Sequence, residues 1–237
     1  MAKAHDTWKV LPHAPVEKLE DNLWRVQGRL ENMPLLRVMT LARLGDGRLV
    51  VHNAMALGEA EMKAIEAWGE PALLLVPNGY HRLDAPAFKR RYPGIKVFCP
   101  RGSRKKVEEV VAVDGDYDAF PADGSVRLEH LDGTREAEGV MLVRSGDAAT
   151  LVLNDAVFNM PHGEGLTGFI FRHVTQSTGG PRVSRVVRML VIKDRAAFRA
   201  HLARLADTPN LRRVIVSHHR TIDERPAEAL REVAATV

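Results

Sequence analysis

The segment that most constrains the fold is a continuous apolar run, Ala72 to Val76, which ends at Pro77-Asn78-Gly79. An uninterrupted apolar run of this length is typical of a buried strand. The strand must end at the proline, because proline has no backbone N–H to give to a neighbouring strand, and Asn-Gly accepts the positive φ angles of a sharp turn. The pattern therefore predicts that Tyr80 and His81 project at the edge of a sheet.

Strand and helix patterns alternate in two successive blocks along the chain. In the first block, strand patterns lie at 23–26, 36–41, 48–51, 72–76 and 95–98, with a hairpin turn at 45–47. Helix patterns lie at 57–68, at 86–92 and after Ser103, which we expect to cap the last of them. In the second block, strand patterns lie at 126–130, 140–143, 150–153 and 213–216, and helix patterns begin after Asp194 and at Pro226. Residues 159–180 are predicted to form a long loop. This order predicts two central sheets with helices on their outer faces.

Length and composition favour one domain that spans residues 1–237. Hydrophobic residues make up 45% of the chain, and we find neither an internal repeat nor a linker-like stretch. No apolar run approaches the roughly 20 residues that a membrane helix needs, and the first residues lack the apolar centre of a signal peptide. Together with the single cysteine, Cys99, these features predict a cytoplasmic protein that does not associate with membranes.

The formal net charge is +4, and basic residues occur in short runs at 89–91, 101–106 and 182–188. Apolar residues interrupt the runs at helix or strand spacing, so we interpret them as solvated faces rather than as a nucleic-acid interface. We therefore expect the partner to be a small molecule. The sequence does not predict the oligomeric state.

Two late segments carry residues that suit a metal site. Asp155 follows the strand pattern at 150–153, and His218 follows the one at 213–216. Imidazoles and carboxylates bind zinc or iron, and such an ion lowers the pKa of a bound water. The order of these segments resembles the metallo-β-lactamase superfamily. The resemblance implies an α/β (α+β) fold, a four-layer αββα sandwich, and it implies that Asp155 and His218 come within reach of each other.

The departures from the superfamily pattern are also informative. The loop at 77–84 has one histidine, His81, where the superfamily has a His-x-His-x-Asp-His metal loop, and Thr134 stands where the superfamily has a later histidine. The sequence is similar to one bacterial branch of the superfamily that has this degenerate loop. The shared motifs are Pro-Asn-x-x-His at 77–81, Leu-Trp-x-Val at 23–26, Val-His at 51–52 and Asp-x-x-Phe-Asn at 155–159.

The resemblance assigns candidate roles to particular residues. His81, Asp155 and His218 are the expected metal ligands and catalytic residues, and Asn78, Tyr80, His162 and His219 are the expected substrate contacts. Each also has a structural interpretation, as a loop residue, a turn cap or a residue at the end of a strand. His52, Cys99 and His130 are interpreted as core or core-edge residues.

Two functional hypotheses remain open at this point. In the first, the chain is a divergent hydrolase-like protein with at most one zinc or iron ion, which acts on an ester, lactone or phosphoester. In the second, it binds no metal, and the same cleft binds a small ligand or scaffolds a partner. The sequence does not identify the substrate.

Overall fold

The computed structural model describes residues 3–31 and 33–237, and its strands form two large sheets and one small one. The seven-stranded sheet has the order β1-β2-β3-β4-β5-β6-β7, the four-stranded sheet has the order β13-β10-β9-β8, and β11 pairs with β12. The strand bounds are Glu17–Glu20, Leu23–Leu30, Met33–Arg43, Arg48–His52, Glu70–Leu75, Lys96–Cys99, Gly115–Asp116, Val126–His130, Gly139–Ser145, Ala148–Leu153, Phe158–Met160, Gly180–Arg182 and Leu211–Ile215 for β1 to β13.

Helices connect the strands and cover the outer faces of the two large sheets. The α-helices α1 to α7 are Glu59–Trp68, Ala85–Arg91, Arg104–Val107, Gly165–Phe169, Arg185–Leu190, Arg195–Ala206 and Pro226–Ala235. Short 3-10 helices lie at Arg101–Ser103 and Tyr117–Ala119, and α4 continues into a π-helical turn at Ile170–Val174. Within the described residues, no helix has the length and apolar composition that a membrane crossing requires.

Three apolar cores separate four layers. Residues of α1 to α3, among them Met62, Phe88 and Val107, pack on the outer face of the seven-stranded sheet. Residues of α5 to α7, among them Phe198 and Leu230, pack on the outer face of the four-stranded sheet. The third core, which we call the inter-sheet core, joins the two inner faces through Leu23, Val38, Val50, Leu73, Leu75, Phe98, Val126, Met141, Val143, Val152 and Ile215. The order of layers is αββα, as predicted from the resemblance.

The position of β5 between two apolar layers explains the continuous apolar run at 72–76. Leu73 and Leu75 point into the inter-sheet core, whereas Leu74 and Val76 point to the helices on the other face. Because successive side chains of a strand alternate between faces, a strand covered on both faces needs an apolar residue at each position. The same alternation separates the other central strands into two apolar faces.

Most of the predicted elements are confirmed. The turn at 45–47 joins β3 and β4 as an antiparallel pair. Asp194 caps α6, since its Oδ1 accepts a hydrogen bond from the backbone N–H of Ala197 at 3.0 Å. Pro226 opens α7.

Two local predictions are wrong. Ser103 does not cap α3, because its hydroxyl donates to the carbonyl of Ala137 instead. Residues 159–180 do not form one long loop, since they contain α4 and the π-helical turn. The glycines of this segment mask its helical pattern, and its apolar side chains at Leu166, Phe169 and Val174 are exposed rather than aligned on a buried face.

Candidate metal centre

The carboxyl ends of two pairs of parallel strands, one pair in each large sheet, bring the candidate residues together. β10 and β13 are parallel, and their register pairs Leu151 with Val214 and Val152 with Ile215. The same offset continued past the strand ends places Asp155 beside His218. On the other sheet, β4 and β5 are parallel neighbours, and their carboxyl ends lead to Asn53 and to the loop that carries His81. The candidate site therefore lies at one edge of the sandwich, where the two sheets meet.

His81, Asp155 and His218 converge on one point. The Oδ1 atom of Asp155 lies 3.1 Å from Nε2 of His81 and 3.3 Å from Nε2 of His218. All three potential ligand atoms lie within 4.8 Å of one another. The side chains of the two histidines are 11% and 9% exposed, and that of Asp155 is 19% exposed. The predicted proximity of Asp155 and His218 is confirmed.

The remaining ring nitrogen of each histidine faces an oxygen that can only accept a hydrogen bond. Nδ1 of His218 lies 2.9 Å from the carbonyl oxygen of Leu36. Nδ1 of His81 lies 3.2 Å from Oδ1 of Asn53. The orientation of the Asn53 amide is fixed because its Nδ2 donates to the carbonyl of Val38 at 2.8 Å. Both Nδ1 atoms therefore carry a proton, and in the neutral ring the Nε2 atoms carry lone pairs.

Asn78 holds the other side of the Asp155 carboxylate. Its Nδ2 donates to Oδ2 of Asp155 at 2.9 Å and to Oε1 of Glu138 at 2.7 Å. Its Oδ1 accepts from the backbone N–H groups of Tyr80 at 2.8 Å and of His81 at 3.0 Å. One buried amide thus fixes both the loop that carries His81 and the orientation of the carboxylate that His81 faces.

Burial and charge shift the acid–base behaviour of these groups. Burial by itself would raise the pKa of Asp155, but the charge of His81 and the hydrogen bonds with His218 and His81 hold this pKa well below its usual range. Burial would lower the pKa of His218, whereas its hydrogen bond with Asp155 and the charge of that carboxylate raise it. Burial and the nearby charge of Asp155 raise the pKa of Glu138 well above its usual range.

The cluster is open to two cavities. The first, of about 660 Å³, is lined by Asp155 and His218 together with Asn78 and Glu138. The second, of about 710 Å³, is lined by His81 and His218 and by residues of the amino-terminal segment. Tyr80 is 66% exposed and lines both cavities. A small molecule therefore has access to the cluster.

The other candidate residues lie around the cluster rather than in it. Nδ1 of His162 is 3.0 Å from the hydroxyl of Thr178, and His162 lines neither of the two cavities. His219 has a φ of 60° and its Nε2 accepts from the backbone N–H of Leu36 at 3.3 Å. His52 is buried, and burial together with the charge of His81 lowers its pKa to about 3. Cys99 is fully buried, and burial raises its pKa to about 12.

A second group of potential ligands, Asp116, Asp118 and His130, lies beside β7. Arg101 already contacts both aspartates, and Nε of Arg101 lies 2.9 Å from Oδ2 of Asp116. Since a guanidinium stays protonated, both carboxylates of this group already have a cation as their partner. The candidate metal centre is therefore the one formed by His81, Asp155 and His218.

Sequence reasoning missed two residues of the centre, Asn53 and Glu138. Glu138 ends the run Arg135-Glu136-Ala137-Glu138, which has the composition of an exposed loop, yet its side chain is buried. Asn53 has a φ of 58°, a conformation that asparagine accepts more readily than most residues. An asparagine that directly follows a buried strand was the available signal.

Comparisons with known proteins give a fold relationship only. No protein-family model matches the chain, and no curated protein is similar to it in sequence. The similar solved structures include the DIM-1 metallo-beta-lactamase exposed to ceftazidime (13% identity, TM-score 0.64, 96% of this chain and 99% of that one), a metallo-beta-lactamase from Erythrobacter litoralis with beta-mercaptoethanol in its active site (13%, 0.63, 94% and 96%), and VMB-1 at pH 5.5 (12%, 0.64, 96% and 99%). The likeness extends over nearly the whole chain.

Proposed function

Since the chain has the metallo-β-lactamase fold, we propose that it is a divergent, hydrolase-like protein whose His81, Asp155 and His218 bind a single zinc or iron ion. The position of the cluster, at the edge where the two sheets meet, supports this assignment of the site. The residues of the cluster give its chemistry.

The position of the protons around the cluster carries this proposal. Both Nδ1 atoms donate outwards, so the Nε2 lone pairs of the neutral histidines point at Oδ1 of Asp155. A carboxylate oxygen also offers only lone pairs, and three such atoms repel one another unless a positive species lies among them. Two imidazolium protons or one metal ion satisfy this requirement. A metal ion satisfies it without placing two like charges within 4.8 Å of each other.

The donor set suits such an ion. Two imidazole nitrogens and one carboxylate oxygen form a three-ligand set of the kind that catalytic zinc sites use, which leaves a further position for water or substrate. The outward hydrogen bonds of Nδ1 are the second-shell contacts that orient metal-binding histidines. The ring of Phe158 stacks on His218 at 5.8 Å and 3°, which restricts the rotation of that ring. When bound here, an ion would supply a water of lowered pKa and would polarise a carbonyl or phosphoryl oxygen.

The protein's own residues position these groups. Asn78 prevents Asp155 from rotating, because the two amide hydrogens are shared between Asp155 and Glu138. The carbonyl of Leu36 and the amide of Asn53 set the ring orientation of the two histidines. The cavity walls hold the substrate against this cluster.

One observation supports the alternative, a metal-free protein that binds a small ligand. The Nε2–Oδ1 distances of 3.1 and 3.3 Å are also hydrogen-bond distances, so protonated histidines would hold the cluster together without an ion. The raised pKa of His218, caused by its contact with Asp155 against the opposing effect of burial, agrees with this arrangement.

Metal analysis of the protein purified without chelator separates the two proposals. We expect about one zinc or iron per chain, and a loss of the ion in His81→Ala and in His218→Ala. His162→Ala is the matched control, because this histidine is exposed and lies outside the cluster, and it should keep the metal. A stoichiometry far below one per chain, even after excess zinc has been added, would exclude the metal-dependent hydrolase and leave the metal-free alternative.

A further inference from the structure

The cavity that reaches Asp155 and His218 has two walls of different chemistry. Its apolar wall comes from β3, β11, the π-helical turn and α5, and includes Leu35, Phe158, Met160, Phe171, Val187 and Leu190. Its other side carries three basic residues, Lys106, Arg135 and Lys193. The catalytic candidates Asp155 and His218 belong to the same lining.

The basic side has unbalanced charge. Within the described part of the chain, Lys106 contacts Glu109 at 3.3 Å, whereas the side chains of Arg135 and Lys193 form no salt bridge. Both are exposed at the cavity. Neither acidic residue of the lining forms a salt bridge with these two cations: Oδ1 of Asp155 lies against two histidines, and Oε1 of Glu138 accepts from Asn78. A ligand with a negative group would be attracted to this side.

The apolar wall is not a packed core. Leu190 is 66% exposed and Val186, also in the lining, is 45% exposed, whereas Val187 of the same helix is buried. When an apolar ligand covers large apolar side chains that line a cavity, the complex is stabilised by about 25 cal/mol per Å² of buried apolar surface. An alkyl or aryl chain is the ligand chemistry that fits this wall.

We infer that the substrate is an amphiphilic anion, with an apolar acyl chain against α5, a negative group near Arg135 and Lys193, and an ester or lactone carbonyl between them at the cluster. This inference rests on the proposed hydrolase function. Hydrolysis would add the hydroxyl of water to the carbonyl carbon, break the acyl C–O bond, and transfer the proton of water to the departing oxygen. An ester gives a carboxylic acid and an alcohol, a lactone gives one hydroxy acid, and water is the only co-reactant.

Calorimetric titration with three probes tests the inference without turnover. The probes are 1-decanesulfonate, 1-butanesulfonate and decyltrimethylammonium, each used below its micelle concentration. We expect decanesulfonate to bind at least tenfold more tightly than either of the others, because butanesulfonate lacks the chain and decyltrimethylammonium has the opposite charge. Equal binding of the two ten-carbon probes, or of the two sulfonates, would overturn the inference.

Two pairs of variants assign the binding to the two walls. Leu190→Asn and Lys193→Glu should each weaken decanesulfonate binding about tenfold. Met189→Asn and Arg185→Glu are the matched controls, since both residues lie in α5, which carries Leu190 and ends shortly before Lys193, and both are exposed and do not line the cavity. The controls should bind within twofold of the unmodified protein, and an equal loss in a control and its partner would contradict the assignment.

The titrations test the substrate class and the metal analysis tests the metal site, so either proposal can be excluded while the other is supported. Selective binding of decanesulfonate to a protein without metal would exclude the hydrolase and leave the amphiphilic anion as the ligand of the cavity. One metal per chain with no selectivity among the probes would support the metal site and exclude this class of substrate.

Discussion

The two histidines of the cluster are held by different kinds of partner. His218 is fixed by a backbone carbonyl in β3, that of Leu36, whereas His81 is fixed by the side-chain amide of Asn53. A backbone partner persists after most substitutions, but a side-chain partner does not. The position of His81 therefore depends more strongly on the identity of the neighbouring side chains. Among these neighbours, Asn78 forms hydrogen bonds both with the loop that carries His81 and with Asp155.

The contacts of Asn78 predict a double effect of Asn78→Ala. The free energy of unfolding should fall by about 2 to 3 kcal/mol, because two buried carboxylates lose a donor and two backbone N–H groups lose an acceptor. Metal affinity should fall by roughly 10- to 100-fold, as expected when an outer-shell partner is removed. Urea denaturation and competition with a zinc chelator measure the two quantities.

Asn22→Ala is the control for this variant. Asn22 donates to the carbonyl of Arg144 at 2.8 Å and is not a neighbour of the cluster. It should lower stability and leave metal affinity unchanged. If Asn78→Ala behaves in the same way, then Asn78 supports the loop only and does not position Asp155.

The sequence predicted the ligand triad more readily than the groups that orient it. Asp155 and His218 each follow an apolar strand, and parallel strands deliver their carboxyl ends to one edge of a sheet, so their proximity followed from the fold class. The role of Asn78 did not follow, because its two acceptors belong to segments 60 and 77 residues away. The structure also changes the interpretation of His81. Its side chain is only 11% exposed and contacts Asn53 and Asp155 through its two ring nitrogens, so His81→Ala should lower stability as well as binding.

At the scale of elements, helix α6 shows how one side chain fixes where a helix begins. The Asp194 carboxylate accepts from the N–H of Ala197, and Phe198, Leu202 and Leu205 are then buried on one side of the helix. Asp194→Ala should lower the free energy of unfolding by about 1 kcal/mol, the usual contribution of a helix cap. Asp194→Asn retains the acceptor and should lose only a fraction of that in denaturant titrations. If Asp194→Asn lowered the free energy of unfolding as much as Asp194→Ala, the charge of Asp194, rather than its capping hydrogen bond, would be what stabilises the helix.

A second carboxylate, Asp123, ties the β3–β4 turn to the start of β8. Burial would raise its pKa, but hydrogen bonds from the backbone of Gly45, from Ser125 and from the backbone of Val126 lower it. The ionised form is therefore favoured in the folded state. Its stabilising contribution is present above the ordinary carboxyl pKa near 4 and is lost as the pH falls through the lowered value.

Asp123→Asn should accordingly destabilise the protein by about 1 kcal/mol at pH 7, the size of one net hydrogen bond, and by less as the pH approaches 3. Denaturant titrations of both proteins between pH 7 and pH 3 measure this difference. A difference that grows towards acid would have the wrong sign for a carboxylate of lowered pKa.

Helices and strands with a periodic apolar pattern were predictable, and those without one were not. The strands from β2 to β6 and the helices α1, α6 and α7 have the apolar spacing that their burial requires. By contrast, α4 and α5 expose large apolar residues such as Phe169, Met189 and Leu190. A periodic apolar pattern arises where one face of an element is buried against the rest of the protein. It therefore does not identify helices whose apolar side chains face a cavity or solvent.

At the scale of the whole molecule, the inter-sheet core connects the two sheets over their entire inner faces. It includes residues of β2 to β6 from one sheet and of β8, β9, β10 and β13 from the other. We therefore expect no stable fragment. Limited proteolysis should cut first between residues 159 and 180, where Gly163 to Thr167 are exposed. A first cut near residue 115 that releases a folded half would show two domains instead of the predicted single one.

The proposed metal ligands belong to different sheets, because His81 follows β5 whereas Asp155 and His218 follow β10 and β13. The distance from His81 to the other two ligands therefore depends on the spacing of the sheets, which reflects the volume of side chains such as Met141 and Val152 between them. Substitutions there would change ion affinity without touching a ligand. Natural selection for metal binding at the edge of the sandwich would therefore also act on the packing of the inter-sheet core. The volume of that core would evolve under a constraint that stability alone does not impose.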